Sequence, residues 1–300
     1  MVVKGAATGL LGIRAEYDWL NQNFPGYKRK SQALVPGARS YDLIEIEMPD
    51  GRGLSIYFDV SDIWKPPEPP EWTLTSVTTR QDKRKFVDLK TMRRSGNYLQ
   101  VCTMYDVDQE ESTPAGIAYK SAKALEELDC ARSQGRLVGV AYSSGNMGGG
   151  AVVQSAWNMP TRLEVLRPTS MNEGTAHVVC NLDSYLAQPQ TWEEFGEADG
   201  MSLFLDRSTF RRVGSVARVR ILRDLAKPQT SAHDRPPVRS LVGVSEYDCA
   251  KKLSRHVSVV TYTGQRGKGQ VTEILPNPEA PFEPSRGEDE FVARICALGK

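Results

Sequence analysis

Histidine, cysteine and long apolar runs are scarce in this chain of 300 residues. It has three histidines and five cysteines, and no stretch approaches the ~18 apolar residues that a membrane helix requires. Neither charge predominates, since 38 basic residues face 37 acidic ones and the net charge is +1. Nucleic-acid binders usually carry a clear basic excess. The composition therefore argues against a nucleic-acid partner and against a membrane span.

A secretory signal is not evident at the N-terminus. The run from Gly5 to Ile13 follows Lys4 but contains three glycines and a threonine, whereas a signal peptide needs a stronger apolar stretch and a small-residue cleavage site. We interpret the run as the start of a first helix. A chain whose leader had already been removed would look the same.

An internal duplication organises most of the sequence. Two segments align at an offset that drifts only from 120 to 116 residues, as insertions in loops would produce. The matched positions are Trp72 and Trp192, Asp88 and Asp206, Thr91 and Thr209, Arg93 and Arg211, Arg94 and Arg212, Asp106 and Asp224, Ser121 and Ser240, Asp129 and Asp248, Cys130 and Cys249, Tyr142 and Tyr262, Gly150 and Gly269, Pro168 and Pro284, and Cys180 and Cys296.

The duplication resolves an ambiguous segment. Residues 118–130 have some helical spacing, but their partner from Val238 to Val244 is rich in valine and interrupted by glycine. Two copies share one fold, so we predict strands in both. Further strands are predicted at 86–89, 98–105, 203–205 and 216–222, and hairpins at 137–154 and 257–274, each around a Gly-rich loop.

The part ahead of the repeat is a different module. Residues 1–64 combine a helix, which ends at Phe24-Pro25-Gly26, with strands at 41–47 and 54–60 around Asp50-Gly51, a hairpin signal. Residues 65–70 hold four prolines, which makes a stiff spacer. We predict an α+β protein of mostly antiparallel β structure: a small α/β module at 1–64, a linker at 65–70, and two tandem disulfide-closed β-rich domains at 71–181 and 182–300.

Four of the five cysteines occupy equivalent places in the two copies. Cys130 and Cys180 are 50 residues apart, and Cys249 and Cys296 are 47 apart. This duplicated spacing predicts one disulfide in each copy, and disulfides indicate an oxidising compartment. Two buried free thiols in each domain are the alternative. Cys102 stands opposite Arg220 and has no duplicated role.

The repeated pattern resembles the surface-adhesin protein E family of bacterial envelope proteins. The shared features are a leading Trp, Asp followed by Thr and Arg, Lys/Arg-Ser, Asp-Cys, Arg, Tyr, a Gly-rich turn, and a Pro ahead of a closing Cys, over roughly 71–181 and 191–297. The resemblance implies an antiparallel sheet with bridged cysteines, an envelope or secreted location, and adhesion to host matrix proteins. The resemblance does not extend to residues 1–64. No short binding motif of the family is matched in this sequence, so the resemblance assigns no binding residue.

The sequence offers little for catalysis. None of the histidines (His177, His233 and His256) is matched in the other copy, and no CxxC pair indicates zinc. The Gly-rich run at 145–150 is typical of a hairpin loop, because a phosphate cradle needs a strand-to-helix transition. We predict no catalytic residue, no metal site and no cofactor.

The shared polar residues have structural interpretations, with one exception. Asp88 and Asp206 each precede a threonine by three residues, which favours a turn after a strand in which the carboxylate or the hydroxyl satisfies backbone donors. Asp129 and Asp248 are expected to pair with Arg136 and Arg255.

The exception is a set of repeated arginines, for which a solvated turn is the alternative. Arginine can anchor an interface through its planar fork of donors. The predicted binding residues are Arg93, Arg94, Arg211 and Arg212.

Three functions remain open from the sequence. The favoured one is a non-catalytic, extracytoplasmic protein of the bacterial envelope, located in the periplasm, on the outer surface or secreted, that binds another protein. An immunity-type inhibitor that neutralises a secreted toxin in the periplasm would have the same sequence features. A hydrolase that uses residues of one domain or of the N-terminal module is the third. The partner is accordingly either a host matrix protein or a bacterial toxin.

Overall fold

The structure is a computed structural model that describes residues 9–35, 41–60, 70–95, 97–157, 159, 162–189, 191–198, 200–230, 236–284 and 289–298. The chain forms two compact units. The first contains Met1–Glu71 and Val87–Leu166, and the second contains Trp72–Phe86 and Arg167–Lys300. Among the described helices, none is both long and apolar enough to cross a bilayer.

The secondary structure is mainly β. Up to the first cysteine the elements are α1 (Gly9–Asn23), β1 (Lys28–Val35), β2 (Tyr41–Glu47), β3 (Gly53–Asp59), β4 (Trp72–Val77), β5 (Lys83–Ser95), β6 (Tyr98–Ser112) and β7 (Ala118–Asp129). They continue with β8 (Gln134–Ser143), β9 (Val152–Trp157), β10 (Glu164–Val165), α2 (Met171–Cys180), α3 (Leu182–Leu186) and β11 (Glu193–Ala198). The last are β12 (Met201–Val213), β13 (Val216–Gln229), β14 (Val238–Asp248), β15 (Leu253–Tyr262), β16 (Val271–Pro276), β17 (Glu283–Pro284) and α4 (Asp289–Ala297).

The N-terminal part of the first unit is a helix and a three-stranded antiparallel sheet in the order β1-β2-β3. Alternate residues of β2 are buried, including Ile44 and Ile46, and they pack with Leu20 of α1 and Phe58 of β3. Alternation places one face of a strand against the core, so the predicted helix and hairpin are confirmed. Residues 1–8, 36–40 and 61–64 of the predicted module lie outside the described residues.

The rest of the first unit is an antiparallel sheet. Its strands run in the order β10-β8-β7-β6-β5, with β5 included from Val87 onward, and β9 also pairs with β8. The ambiguous segment 118–130 is a strand, β7, as the comparison of the two copies predicted. The predicted hairpin around the first Gly-rich loop is β8 and β9.

The second unit is built on a sheet in the order β4-β16-β15-β14-β13-β12-β11, with β17 beside β15. Its pairs are antiparallel except β16 with β4, which is parallel. Helix α4 covers one face of this sheet: Phe291, Val292 and Ile295 are buried with Ile221 and Tyr247. The sequence analysis missed this helix and its counterpart α2.

The cysteines behave as the duplicated spacing predicted. Cys249 and Cys296 form a disulfide with a Cα–Cα distance of 5.7 Å, which ties α4 to the end of β14. Cys130 and Cys180 are also disulfide-bonded, so the prediction of two disulfides is confirmed. Cys102 is buried and takes no part in these disulfides.

The compact units do not follow the repeat. Strand β4 and the segment from Arg167 onward belong to the same unit as the second copy. The mostly antiparallel β content is confirmed, whereas the tandem domains at 71–181 and 182–300 stay a prediction. Residues 65–69 of the predicted linker lie outside the described part of the chain.

Candidate functional site

The four predicted binding arginines are exposed. Arg93 and Arg94 lie near the end of β5, and Arg211 and Arg212 lie near the end of β12. An interface anchor must reach solvent before the partner binds, so the first condition for these residues is met. Their role in binding stays a prediction.

One arginine of each pair is held by its own strand. Arg93 Nη1 donates to the carbonyl oxygens of Lys90 and Met92, at 3.1 and 2.8 Å. Arg211 Nη1 donates to the carbonyl oxygens of residues 208 and 210, at 3.0 and 2.7 Å. Both guanidinium groups are therefore held in the same position relative to their strands. A guanidinium has five N–H donors, and the remaining donors of these two are not used by the strand.

The second arginine of each pair is used differently in the two copies. Arg94 lines a groove of about 540 Å³ in the first unit, together with Tyr98 and Arg136. Arg212 instead donates from Nη1 to the carbonyl oxygen of Cys296 at 2.9 Å. It thereby fastens the end of α4 to the end of β12, which gives Arg212 a structural task in addition to the predicted one.

The matched Asp and Thr residues hold the strands together. Thr91 Oγ1 donates to the carbonyl oxygen of Asp88 at 2.7 Å and accepts from the backbone N–H of Cys102 at 2.9 Å. Thr209 donates likewise to the carbonyl oxygen of Asp206 at 2.7 Å. The predicted backbone role is correct, but the location is not a turn. Both motifs lie within long strands, and in the second copy the register shifts immediately after Asp206, as at a β-bulge.

The first Gly-rich loop is a closed hairpin loop. The N–H of Met147 donates to Asp106 Oδ1 at 2.7 Å. Ser121 Oγ donates to the carbonyl oxygen of Gly145 at 2.5 Å and accepts from the N–H of Gly148 at 2.9 Å. These loop amides already bond to acceptors of the same chain.

The second Gly-rich loop repeats these three bonds. The N–H of Arg266 donates to Asp224 Oδ1 at 2.7 Å. Ser240 Oγ donates to the carbonyl oxygen of Gly264 at 2.6 Å and accepts from the N–H of Gly267 at 3.1 Å. A phosphate cradle needs free backbone N–H groups. The hairpin-loop interpretation of the sequence is therefore correct for both copies.

The expected ion pairs of Asp129 and Asp248 are wrong. Arg136 pairs with Glu127 at 2.6 Å, and Arg255 pairs with Glu246 at 2.7 Å. The strand register decides this, because it places residue 127 opposite residue 136 and residue 246 opposite residue 255, and directly opposed side chains interact.

The carboxylates of Asp129 and Asp248 serve the tight turns that follow β7 and β14. Asp129 Oδ1 accepts from the backbone N–H groups of residues 131 and 132, at 3.1 and 3.2 Å. Asp248 Oδ1 accepts in the same way from residues 250 and 251. A carboxylate that bonds to the backbone two residues on stabilises a turn.

Two of the three histidines, His177 and His256, lie among the described residues. His256 Nδ1 lies 3.0 Å from Ser245 Oγ, and this serine is fully buried. Burial and the nearby Arg223 lower the pKa of His256. His233 lies outside the described residues. Within the described ranges, no cluster of three or more His, Cys, Asp or Glu side chains forms a metal site.

Sequence reasoning missed a cavity in the second unit. It measures about 390 Å³ and lies between α3 and the face of the sheet opposite α4, with Arg220, Tyr185 and His177 on its walls. Arg220 Nη2 donates to the carbonyl oxygen of Tyr185 at 2.6 Å. The available signal was the mismatch between Arg220 and Cys102 in an otherwise regular repeat.

Comparison with known proteins shows one family. The sequence profile described as Surface-adhesin protein E matches residues 72–181 and again residues 192–297, and these ranges together exceed half of the chain. The chain belongs to the surface-adhesin protein E family. The family and the two copies deduced from the repeated residues are thus confirmed. No curated protein sequence matches the chain.

Solved structures of Haemophilus influenzae protein E are similar to part of this family member. One is 13% identical, covers 36% of this chain and 84% of that chain, and has a TM-score of 0.28. Its second crystal form is 12% identical, with coverages of 36% and 87% and a TM-score of 0.28. A structure of protein E from non-typeable Haemophilus influenzae is 13% identical, with coverages of 37% and 77% and a TM-score of 0.27.

Membership in the surface-adhesin protein E family gives the disulfides a context. Disulfides persist in oxidising environments, and this chain carries two. Together with the family, they point to an extracytoplasmic location.

Proposed function

We propose that this protein works in the periplasm, on the outer surface or as a secreted protein, by binding another protein without catalysis. One observation carries the proposal: Arg93 and Arg211 are exposed at equivalent positions and are held by equivalent backbone bonds. Membership in the surface-adhesin protein E family supports it.

Holding a side chain before binding reduces the cost of forming an interface. A long side chain loses about 0.5 to 1.5 kcal/mol of conformational freedom when a partner immobilises it. The carbonyl groups that accept from Arg93 and Arg211 have already restricted these side chains. Their free donors match the carboxylate oxygens of an acidic partner surface, since arginine bonds such groups through its planar fork.

The polar residues that the two copies share offer few groups that could act as catalytic nucleophiles. The hydroxyl groups of Thr91, Thr209, Ser121 and Ser240 are engaged by backbone groups of their own copy. A catalytic nucleophile needs a nearby base and access to substrate. The residues that the copies share therefore serve the fold, and the exposed arginines are the exception.

A matched pair of double variants tests the proposal. Arg93→Ala with Arg211→Ala removes the predicted anchors. Arg132→Ala with Lys251→Ala removes two cations at equivalent positions in the turns after β7 and β14, where both side chains are largely exposed. The two double variants change the net charge equally, so they separate a specific contact from long-range attraction.

The partner is first isolated by affinity capture with the unaltered protein and then purified for binding measurements. The anchor variant is expected to raise the dissociation constant at least about tenfold, because loss of interface arginines weakens binding. The turn variant is expected to change it less than about twofold. Equal effects of the two variants would exclude the arginines from the site. A turnover that disappears on substitution of a histidine or aspartate would overturn the binding proposal.

A further inference from the structure

The two copies differ in one buried strand position. Cys102 of the first copy is 3% exposed and packs with Leu125 and Val138 in a small apolar cluster. The second copy has Arg220 there. The backbone N–H at this position bonds to the matched threonine in both copies, at 2.9 Å for Cys102 and 3.0 Å for Arg220, whose threonine is Thr209. The strand is therefore conserved between the copies, whereas the side chain has changed from a small thiol to a cation.

Arg220 has few partners for a half-buried charge. Its Nη2 donates to one carbonyl oxygen, that of Tyr185, and its buried Nε has no hydrogen-bond partner in the described structure. It makes no ion pair with any described residue. The neighbouring Arg218 differs, because Glu246 lies 2.9 Å away. The carboxylate of Asp206, opposite Arg220 in the β12–β13 register, acts on it electrostatically without forming an ion pair. Keeping a half-buried cation with so few direct partners is costly, so Arg220 is suited to an anion from outside.

The cavity beside Arg220 has room for such an anion. Its volume of about 390 Å³ falls in the range of about 300–1,000 Å³ typical of small-molecule sites. Much of its wall is apolar, provided by Val242, Val244, Val257, Val260, Pro276 and Pro278. Val244 lies directly opposite Arg220 in the β13–β14 register. Arg218 also lines the cavity but is paired with Glu246. Arg220 is therefore the arginine of this wall that is left to meet a ligand with one charge and an apolar tail.

We propose that this cavity binds a small organic acid, with the carboxylate on Arg220 and the apolar tail against the valine and proline walls. A guanidinium pairs with a carboxylate through two parallel hydrogen bonds. Asp206 lies opposite Arg220 across β12 and β13, and its negative charge opposes a multiply charged ligand such as phosphate more strongly than a carboxylate. This site is separate from the arginine surface of the proposed function and does not depend on it.

The test uses defined probes on the full chain. Benzoate, 3-methylbutanoate and 3-phenylpropanoate are titrated and followed by NMR or calorimetry, with benzamide as the neutral control and inorganic phosphate as the second anion. The carboxylates are expected to bind with a dissociation constant of about 1 mM or below, which is reasonable for ligands of this size. Benzamide and phosphate are expected to bind at least about tenfold more weakly.

Three variants make the test specific. Arg220→Cys inserts the residue that the first copy has at this place and is expected to lose at least about tenfold in affinity. Arg220→Gln keeps a polar side chain and should lose as much, so the result does not depend on one variant folding. Arg207→Ala, an exposed arginine of the same unit that pairs with Glu193, should bind as the unaltered protein does.

Four results would overturn the proposal. They are no response to any carboxylate at about 10 mM, equal affinity for benzoate and benzamide, phosphate binding as tight as carboxylate binding, and unchanged affinity in a folded Arg220 variant.

Discussion

Removing the Cys249–Cys296 disulfide should destabilise the second unit strongly. The bridge closes a loop with a sequence separation of 47 residues. In the chain-entropy account, a loop of this length contributes about 4 kcal/mol at 25 °C. The bridge also anchors α4, a helix of nine residues that is too short to be stable alone. Its buried residues, including Phe291 and Ile295, would lose their attachment.

Hydrogen exchange with mass spectrometry can measure this loss unit by unit. For the double variant Cys249→Ala, Cys296→Ala, peptides from β12 and β13 should exchange about 10³ times faster in the regime that reports unfolding free energy. Peptides from β2 and β3 belong to the first unit and serve as the internal reference. Cys102→Ala is the control, because it removes a buried thiol without breaking a cross-link and should cost only about 1 kcal/mol.

An increase of less than about tenfold in β12 and β13 would contradict the reasoning. It would mean that α4 stays docked through its apolar residues alone and that the bridge contributes little to the unfolding equilibrium.

Two further predictions concern buried charges. Burial, with Asp42 nearby, raises the pKa of Glu16 to about 9 from its ordinary value of 4.5. The unfolded chain loses this proton at a lower pH than the folded chain does, so the stability of the α1–β2 region should fall as the pH rises from about 4.5 to about 9. Hydrogen exchange of peptides from this region should show that fall in the unaltered protein and not in Glu16→Gln. An identical pH profile in the variant would refute the prediction. Glu246 and Arg255 lie 2.7 Å apart and should couple by about 1 kcal/mol in a double-mutant cycle of unfolding free energies. A cycle of Asp248 with Arg255 is the control and should give no coupling. The reverse ranking would contradict the β14–β15 register, which places Glu246 opposite Arg255.

Some elements escaped sequence reasoning because their signals were weak. Helix α2 contains Gly174, Thr175 and two valines, which are poor helix formers. Its start was nevertheless marked: Ser170 accepts from the N–H of Glu173 at 3.2 Å, in the spacing of a capping box. Helix α4 carries no described N-terminal cap, and its apolar residues are explained only by the sheet that they cover.

Other features depend on which strand lies beside which. Both Asp129 and Glu127 precede Arg136 at short spacing, and only the register of β7 and β8 selects Glu127. The partner of β4 lies about 200 residues away in β16, which no local pattern indicates. Arg220 is an ordinary strand arginine in sequence, and only the position of α3 over β13 gives it a cavity.

The sequence alone determined the duplication, the two disulfides, most of the strands, the hairpin loops and the family. These follow from residue order, alternation and turn chemistry, which act over a few residues or repeat along the chain. The tertiary structure decided the composition of the compact units, the ion-pair partners and the cavity at Arg220. Those depend on contacts between distant segments, and such contacts arise only when several elements bury their apolar faces together.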